Sequence, residues 1–192
     1  MISRFFYSIL SGVIPGLYGR GMHRGYLLFG GNSGDVQRAF SLASSMMEEA
    51  GIFTVRESAL YKSEPWGMGP DEPEFLNKVV LVKTPMSPLE LLRNLQGIEK
   101  ELGRERQPGK VLSRVIDLDI LFFDDLVMDS PELTIPHPRL HLRRFTLIPL
   151  HEIDPGLRHP RLKQTVRELL ENCMDNSSVT KISGPPDTGS AL

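Results

Sequence analysis

Apolar positions along this chain recur with two periods, near 2 and near 3.6, in short alternating segments. Gly25 to Phe29 reads as a strand, and Val36 to about Ala50 as a helix with Val36, Ala39, Ala43, Met46 and Met47 near helical spacing. Asp35 is placed to N-cap that helix and Gly51 to end it. Ile52 to Tyr61 predicts a second strand and Phe75 to Lys83 a third. Ser87-Pro88-Leu89-Glu90 is a helix start with a capping box and proline at the first position. Leu91, Leu95, Ile98 and Leu102 continue it as one apolar stripe until Gly103. A fourth strand fills Arg114 to Phe123, a short one Leu126 to Met128, and a helix Gln164 to Met174, with Val166, Leu169, Leu170 and Cys173 facing inward. Ile148-Pro149-Leu150 and Ile153-Asp154-Pro155 read as an apolar edge. The order βαββαβ, then a hairpin-like segment and a helix, predicts a ferredoxin-like α+β sandwich with an antiparallel sheet and its helices on one face.

The fourth strand carries the candidate chemistry. Asp117 and Asp119 interrupt its apolar run at i and i+2, so they share a face, with Cβ atoms roughly 6–7 Å apart. Ile116, Leu118, Ile120 and Phe122 are expected on the other face, as core. Paired hard-oxygen ligands suit Mg²⁺, which takes one or two carboxylates plus substrate phosphates. An edge strand with two solvated aspartates is the alternative. Arg104, Arg106, Lys110 and Arg114 put four cations in the eleven residues from 104 to 114. Arginine forks match phosphate oxygens, and cations beside paired aspartates can clasp a metal–polyphosphate from two sides.

Composition narrows the classes. At 192 residues with a net charge of −2, the chain predicts one domain and does not favour non-specific binding to nucleic acid or anionic membranes. The single cysteine, Cys173, fits a reducing, cytoplasmic setting. No run is long and apolar enough for a membrane span. Residues 1–24 read as a disordered extension, 25–174 as the domain and 175–192 as a flexible tail rich in Ser, Asn, Gly and Pro.

The loops supply further candidates. Gly30-Gly31-Asn32-Ser33-Gly34-Asp35, between strand and helix, is a tight turn or a phosphate cradle, without the lysine of a P-loop. Trp66, the only tryptophan, lies in the proline- and glycine-rich stretch 63–73 and either stacks on a ligand or folds onto the core. Asn77 offers a donor and an acceptor suited to the edge of a heterocycle, or is a satisfied strand amide. His137 and His141 are not helical zinc ligands, because Pro136 and Pro138 prevent a helix across them. A neutral or cationic histidine beside a phosphate is the more economical reading.

Taken together, the chain resembles the 6-hydroxymethyl-7,8-dihydropterin pyrophosphokinases of folate synthesis. The resemblance runs from about Tyr26 to about Pro160. Arg114-x-x-Asp117-Leu118-Asp119-Ile120-Leu121, Pro136-His137-Pro138, Arg143-x-Phe145, Pro149-Leu150, Tyr61-x-Ser63-x-Pro65-x-Gly67 and Phe75-x-Asn77 carry it. It implies transfer of the terminal pyrophosphoryl group of ATP to the pterin hydroxymethyl oxygen, with AMP leaving. It also implies two Mg²⁺ on Asp117 and Asp119, and pterin stacked between Phe75 and Phe145. Asn77, helped by backbone groups of Ser63 and Trp66, would meet the pterin edge. Arg104, Arg106, Arg114, His137 and Arg143 would contact phosphates, with Arg104 and Arg114 beside the aspartates as catalytic groups. Gln96, Glu99, Ile120 and Thr134 would line the ATP site. The implied partners are these two small molecules, and the chain is expected to act as a monomer.

Three features depart from the pattern. Gly31 replaces a serine, Val111-Leu112-Ser113 stands where many members carry Trp-Gly-Pro, and Pro138 stands where some have tyrosine. Two other readings compete. An RNA-recognition module shares the βαββαβ plan but needs exposed aromatics and usually a basic face. A catalytically silent nucleotide-binding domain would fit the altered 111–113 stretch.

Overall fold

A computed structural model describes residues 21–66, 73–103 and 113–183. The chain runs β1 (His23–Gly31), α1 (Val36–Glu49), β2 (Phe53–Glu57), β3 (Leu60–Ser63), β4 (Phe75–Thr84), α2 (Pro88–Glu101) and β5 (Asp117–Phe123). There follow a two-stranded ribbon, β6 (Met128–Asp129) and β7 (Thr134–Ile135), a 3₁₀ turn at Leu140–Leu142, α3 (Arg144–Ile153), α4 (Val166–Glu171) and β8 (Val179–Ser183). The sheet order is β5-β1-β4-β3-β8, with β2 also on β4, and every pairing is antiparallel. This is the expected ferredoxin-like arrangement. No helix among the described residues is long and apolar enough to cross a membrane.

Local signals account for the helices under the sheet. The Asp35 carboxylate accepts the Arg38 N–H at 3.0 Å and starts α1; Gly51, at φ 83°, follows its last turn. Ser87 and Glu90 complete the capping box of α2. The stripes of both helices press on Leu27, Phe29, Val80, Val82, Leu118 and Ile120 to make one core.

Five details differ from expectation. First, the second strand is two strands, broken at Ser58-Ala59, where the Ser58 hydroxyl accepts the Val79 N–H at 3.0 Å in place of a ladder carbonyl. Second, β5 carries a bulge against Tyr26 and Leu27, so Phe122 packs on the face opposite Leu118 and Ile120. Third, that face is covered: the apolar edge near Ile148 is helix α3, which tolerates Pro149 inside it. With α4 it buries Tyr26, Leu28, Val79, Leu81, Leu121 and Phe122. Fourth, the expected flexible tail contains β8, paired to β3 from Leu60 to Ser63. Fifth, His23 and Arg24, within the expected extension, already pair with Thr84 and Lys83.

Candidate active site

The site forms at one end of the sheet, on the face of α3, where the ladders set side chains in rows. Tyr61, Asn77, Gly30 and Asp117 are successive partners across β3, β4, β1 and β5. Side chains of paired residues share a face, so Asn77 and Asp117 flank a strand position that has none. A Cβ on Gly30 would sit 3.5 Å from Asn77 Oδ1 and 3.9 Å from Asp117 Cβ, filling the cleft between amide and carboxylate. Two strand spacings of about 4.8 Å separate the backbones that carry the two groups. The same pairing puts Ser63 opposite Phe75, and Asp119 opposite Leu28.

Each wall has its own support. Asn77 is buried and donates from Nδ2 to Ser63 Oγ at 2.9 Å, which fixes its amide. Asn32, also buried, ties three segments together. Its Nδ2 donates to the Pro73 carbonyl and to Ser113 Oγ, and its Oδ1 accepts the Arg114 N–H at 2.8 Å. The backbone N–H groups of Asn32 and Ser33 both donate to the Arg114 carbonyl. Glycine at 31 permits this approach, since a Cβ there would lie 2.5 Å from the Val115 carbonyl oxygen. Arg114, so anchored, makes an ion pair with Asp117.

Over the cleft stands the start of α3. Arg143 precedes it without offering a side-chain cap. Asp175 supplies one from the C-terminal segment: its carboxylate accepts the Arg144 N–H at 2.8 Å and the Ser177 N–H at 3.0 Å. Burial alone would raise the Asp175 carboxyl, and these bonds hold it below the usual range. The same segment grips the other wall, where Glu64 N–H donates to the Ser178 carbonyl and Val179 pairs with Ser63.

Arg114, Arg139 and Arg143 put positive charge around the two carboxylates. Burial lowers the Arg143 guanidinium, Arg139 adds to this, and Asp119 and Asp117 oppose it. His137 is half-buried; burial and the Arg143 and Arg139 cations push it down to about 4, against a pull from Asp117. Its ring is therefore neutral near pH 7. Nδ1 accepts the Arg139 N–H at 3.3 Å, which leaves Nε2 as the N–H donor.

The structure thus gathers Ser63, Trp66, Phe75, Asn77, Arg114, Asp117, Asp119, His137, Arg143 and Phe145 at one end of the fold. Arg104 and Arg106 lie outside the described residues. Thr134 is on β7, which packs against β5. Gln96 is exposed on α2. Glu99 is 2% exposed and accepts the Leu118 N–H at 2.8 Å, so it holds β5 in place. Ile120 is buried in the core under α1 and α2. Asn32, Arg139 and Asp175 join the site residues. The Gly30–Asp35 turn marks Asn32 in the sequence and adjacency to Pro136-His137-Pro138 marks Arg139, whereas no local signal marks Asp175. The RNA-module reading fails on the fold, because α3 and α4 cover the sheet face such a module leaves open.

A family model described as 7,8-dihydro-6-hydroxymethylpterin-pyrophosphokinase matches residues 26–155. The 2-amino-4-hydroxy-6-hydroxymethyldihydropteridine pyrophosphokinase of Synechocystis is 35% identical over 171 residues, 88% of this chain and 86% of that protein. The protein of the same name from Haemophilus influenzae is 35% identical over 156 residues, 80% and 95% of the two chains. The folic acid synthesis protein fol1 of Schizosaccharomyces pombe is 44% identical over 147 residues, but the chain spans only 20% of its length. Among solved structures, Plasmodium falciparum HPPK-DHPS superposes with a TM-score of 0.66 at 17% identity, over 81% of this chain and 46% of that one.

Proposed function

The chain belongs to the 7,8-dihydro-6-hydroxymethylpterin-pyrophosphokinase family, and from that premise we propose that its cleft transfers the terminal pyrophosphoryl group of ATP to the hydroxymethyl oxygen of the pterin. The observation that carries this reading is the row Asn77, Gly30, Asp117: an amide for a heterocycle edge and a carboxylate for the reacting end, with no side chain between.

The pterin ring stacks between Phe75 and Phe145, and the buried Asn77 amide, held by Ser63, reads its edge. That places the hydroxymethyl group toward Asp117 and Asp119. Arg114, Arg143 and the Nε2–H of neutral His137 bind phosphate oxygens, with Arg104 and Arg106 from outside the described residues. Holding the two reactants in line, with their charge matched, is most of what phosphoryl transfer asks of a protein.

Asp117 and Asp119 would hold Mg²⁺. Two same-face carboxylates fit it, with substrate phosphates completing the shell. Two ions bound there would neutralise phosphate charge and acidify the attacking hydroxyl. The protein acts as a monomer in the cytoplasm.

The test is incubation with Mg²⁺, ATP and 6-hydroxymethyl-7,8-dihydropterin. AMP should form in step with the pterin diphosphate, and in neither Mg²⁺-free nor pterin-free controls. A folded protein that binds ATP and releases no AMP would be a silent nucleotide-binding relative.

A further inference from the structure

Arg143 bridges the two walls of the cleft by stacking rather than by hydrogen bonding. Its guanidinium carbon lies 4.7 Å from the Trp66 ring centroid and 5.5 Å from that of Phe145. Its Nε is buried without a hydrogen-bond partner. Arg114 and Arg139 repel the charge, and Asp117 and Asp119 attract it without an ion pair to Arg143 among the described residues. The two rings are therefore its direct side-chain partners among the described residues. Trp66 comes from the loop after β3, and Phe145 from α3, so one cation joins elements far apart in the chain.

Arg143 cannot serve two masters at once. A guanidinium lying over Phe145 covers ring surface that a pterin needs for stacking. The same guanidinium is wanted by phosphate. Each cation–π contact is worth roughly 0.5–2 kcal/mol. Charge-assisted, bidentate bonds to phosphate are stronger and use the N–H edges that stacking leaves unspent. Phosphate therefore draws the guanidinium off the rings, and drawing it off uncovers Phe145.

We propose that Trp66 is a positioning residue: its indole sets the ring-stacked place of Arg143, and exchange of Arg143 between that place and phosphate couples nucleotide binding to pterin binding. The inference rests on the functional reading above. By linkage the coupling is reciprocal, so pterin must also raise nucleotide affinity. Giving up stacking on one ring predicts a coupling factor of about fivefold. A neighbouring aliphatic side chain at position 66 would leave Arg143 without its nearer ring and shrink that factor.

The experiment measures pterin affinity with and without saturating Mg²⁺ and α,β-methylene-ATP, in the unmodified protein, Trp66→Leu and Trp66→Phe. Any direct contact of the indole with pterin cancels in the ratio of the two affinities, as does a uniform structural loss. The factor should fall at least halfway toward one in Trp66→Leu and recover in part in Trp66→Phe. Trp66 is the chain's single tryptophan, so its emission reports directly: the nucleotide analogue alone should change it, and Arg143→Met should abolish most of that change. An undiminished factor in Trp66→Leu, or an undiminished emission response in Arg143→Met, overturns the proposal. AMP release by the unmodified protein separates that failure from failure of the functional reading, which would show no AMP at all.

Discussion

Below the sheet, α1 and α2 meet little but hydrocarbon: Leu27, Phe29, Met47, Val80, Val82, Leu91 and Leu95 form a continuous core. Above it, under α3 and α4, polar groups are woven into the apolar layer. Tyr26 donates to Asp154 at 2.6 Å, and Glu152 accepts from Tyr61 at 3.0 Å, from the Ala59 N–H at 2.9 Å and from Lys181 at 2.8 Å. Burial and Glu152 push the Tyr61 phenol up to about 12. The first face asks only for size and shape complementarity. The second sets the direction in which α3 leaves the sheet, and with it Arg143 and Phe145. Binding geometry is thus assigned to the face whose contacts are directional, and bulk stability to the face whose contacts are not.

The sharpest way to separate the faces is to remove chemistry from one and volume from the other. Asp117→Ala should lower turnover by about 10³-fold or more while unfolding midpoints stay close to those of the unmodified protein. AMP release and denaturant titration on the same preparation measure both, and near-normal turnover would sink the metal assignment. Leu95→Ala, fully buried under the sheet, should do the reverse. It should cost about 2–5 kcal/mol of stability with turnover per folded molecule unchanged. A loss of turnover in folded Leu95→Ala would mean the two faces are not separable.

The difference between faces is also a difference in legibility. Periodicity and capping chemistry located α1 and α2, because Asp35, Ser87, Glu90 and the Leu91, Leu95, Ile98 stripe are local signals. The period of two also set Asp117 and Asp119 on one face. It misplaced Phe122, because the β5 bulge depends on the partner strand. Helix α3 was hidden by Pro149, a residue that ordinarily argues against a helix interior. β8 exists by pairing with the edge of β3, and the roles of Gly30 and Asn32 arise from contacts across distant segments. None of these leaves a trace in local spacing. The elements legible in the sequence are governed by neighbours in the chain; the others are governed by neighbours in space.

Acid should also distinguish the faces. His159 is buried against Phe122 on the upper face, and its Nδ1 accepts the N–H groups of Arg161 and Leu162. Burial, then His141 and Arg161, lower it to about 4 from 6.5. Between those values the unfolded chain binds a proton that the fold refuses, so stability falls as pH drops from about 6.5 toward 4, and this contribution is flat above 6.5. His137 adds in the same direction. Stability measured at several pH values should show this slope, and His159→Gln should flatten it by up to one proton. An unchanged slope in that variant would mean His159 is not held neutral.

The smallest expected effect tests the link between the upper face and the site. Asp175 lies well outside every motif of the chain, yet its carboxylate holds the first N–H of α3. Loss of such a cap costs about 0.5–2 kcal/mol. Because Arg143 and Phe145 sit at that helix end, part of the cost should appear in binding: Asp175→Ala should raise the pterin KM severalfold, to about tenfold at most, with kcat less affected. Asp175→Asn keeps one oxygen acceptor where two N–H groups are bound, so it should fall between the two. If Asp175→Ala lowers stability alone and leaves the pterin KM untouched, then the C-terminal segment merely closes the fold. The directional contacts of the upper face would then end at Glu152 and Asp154, short of the site.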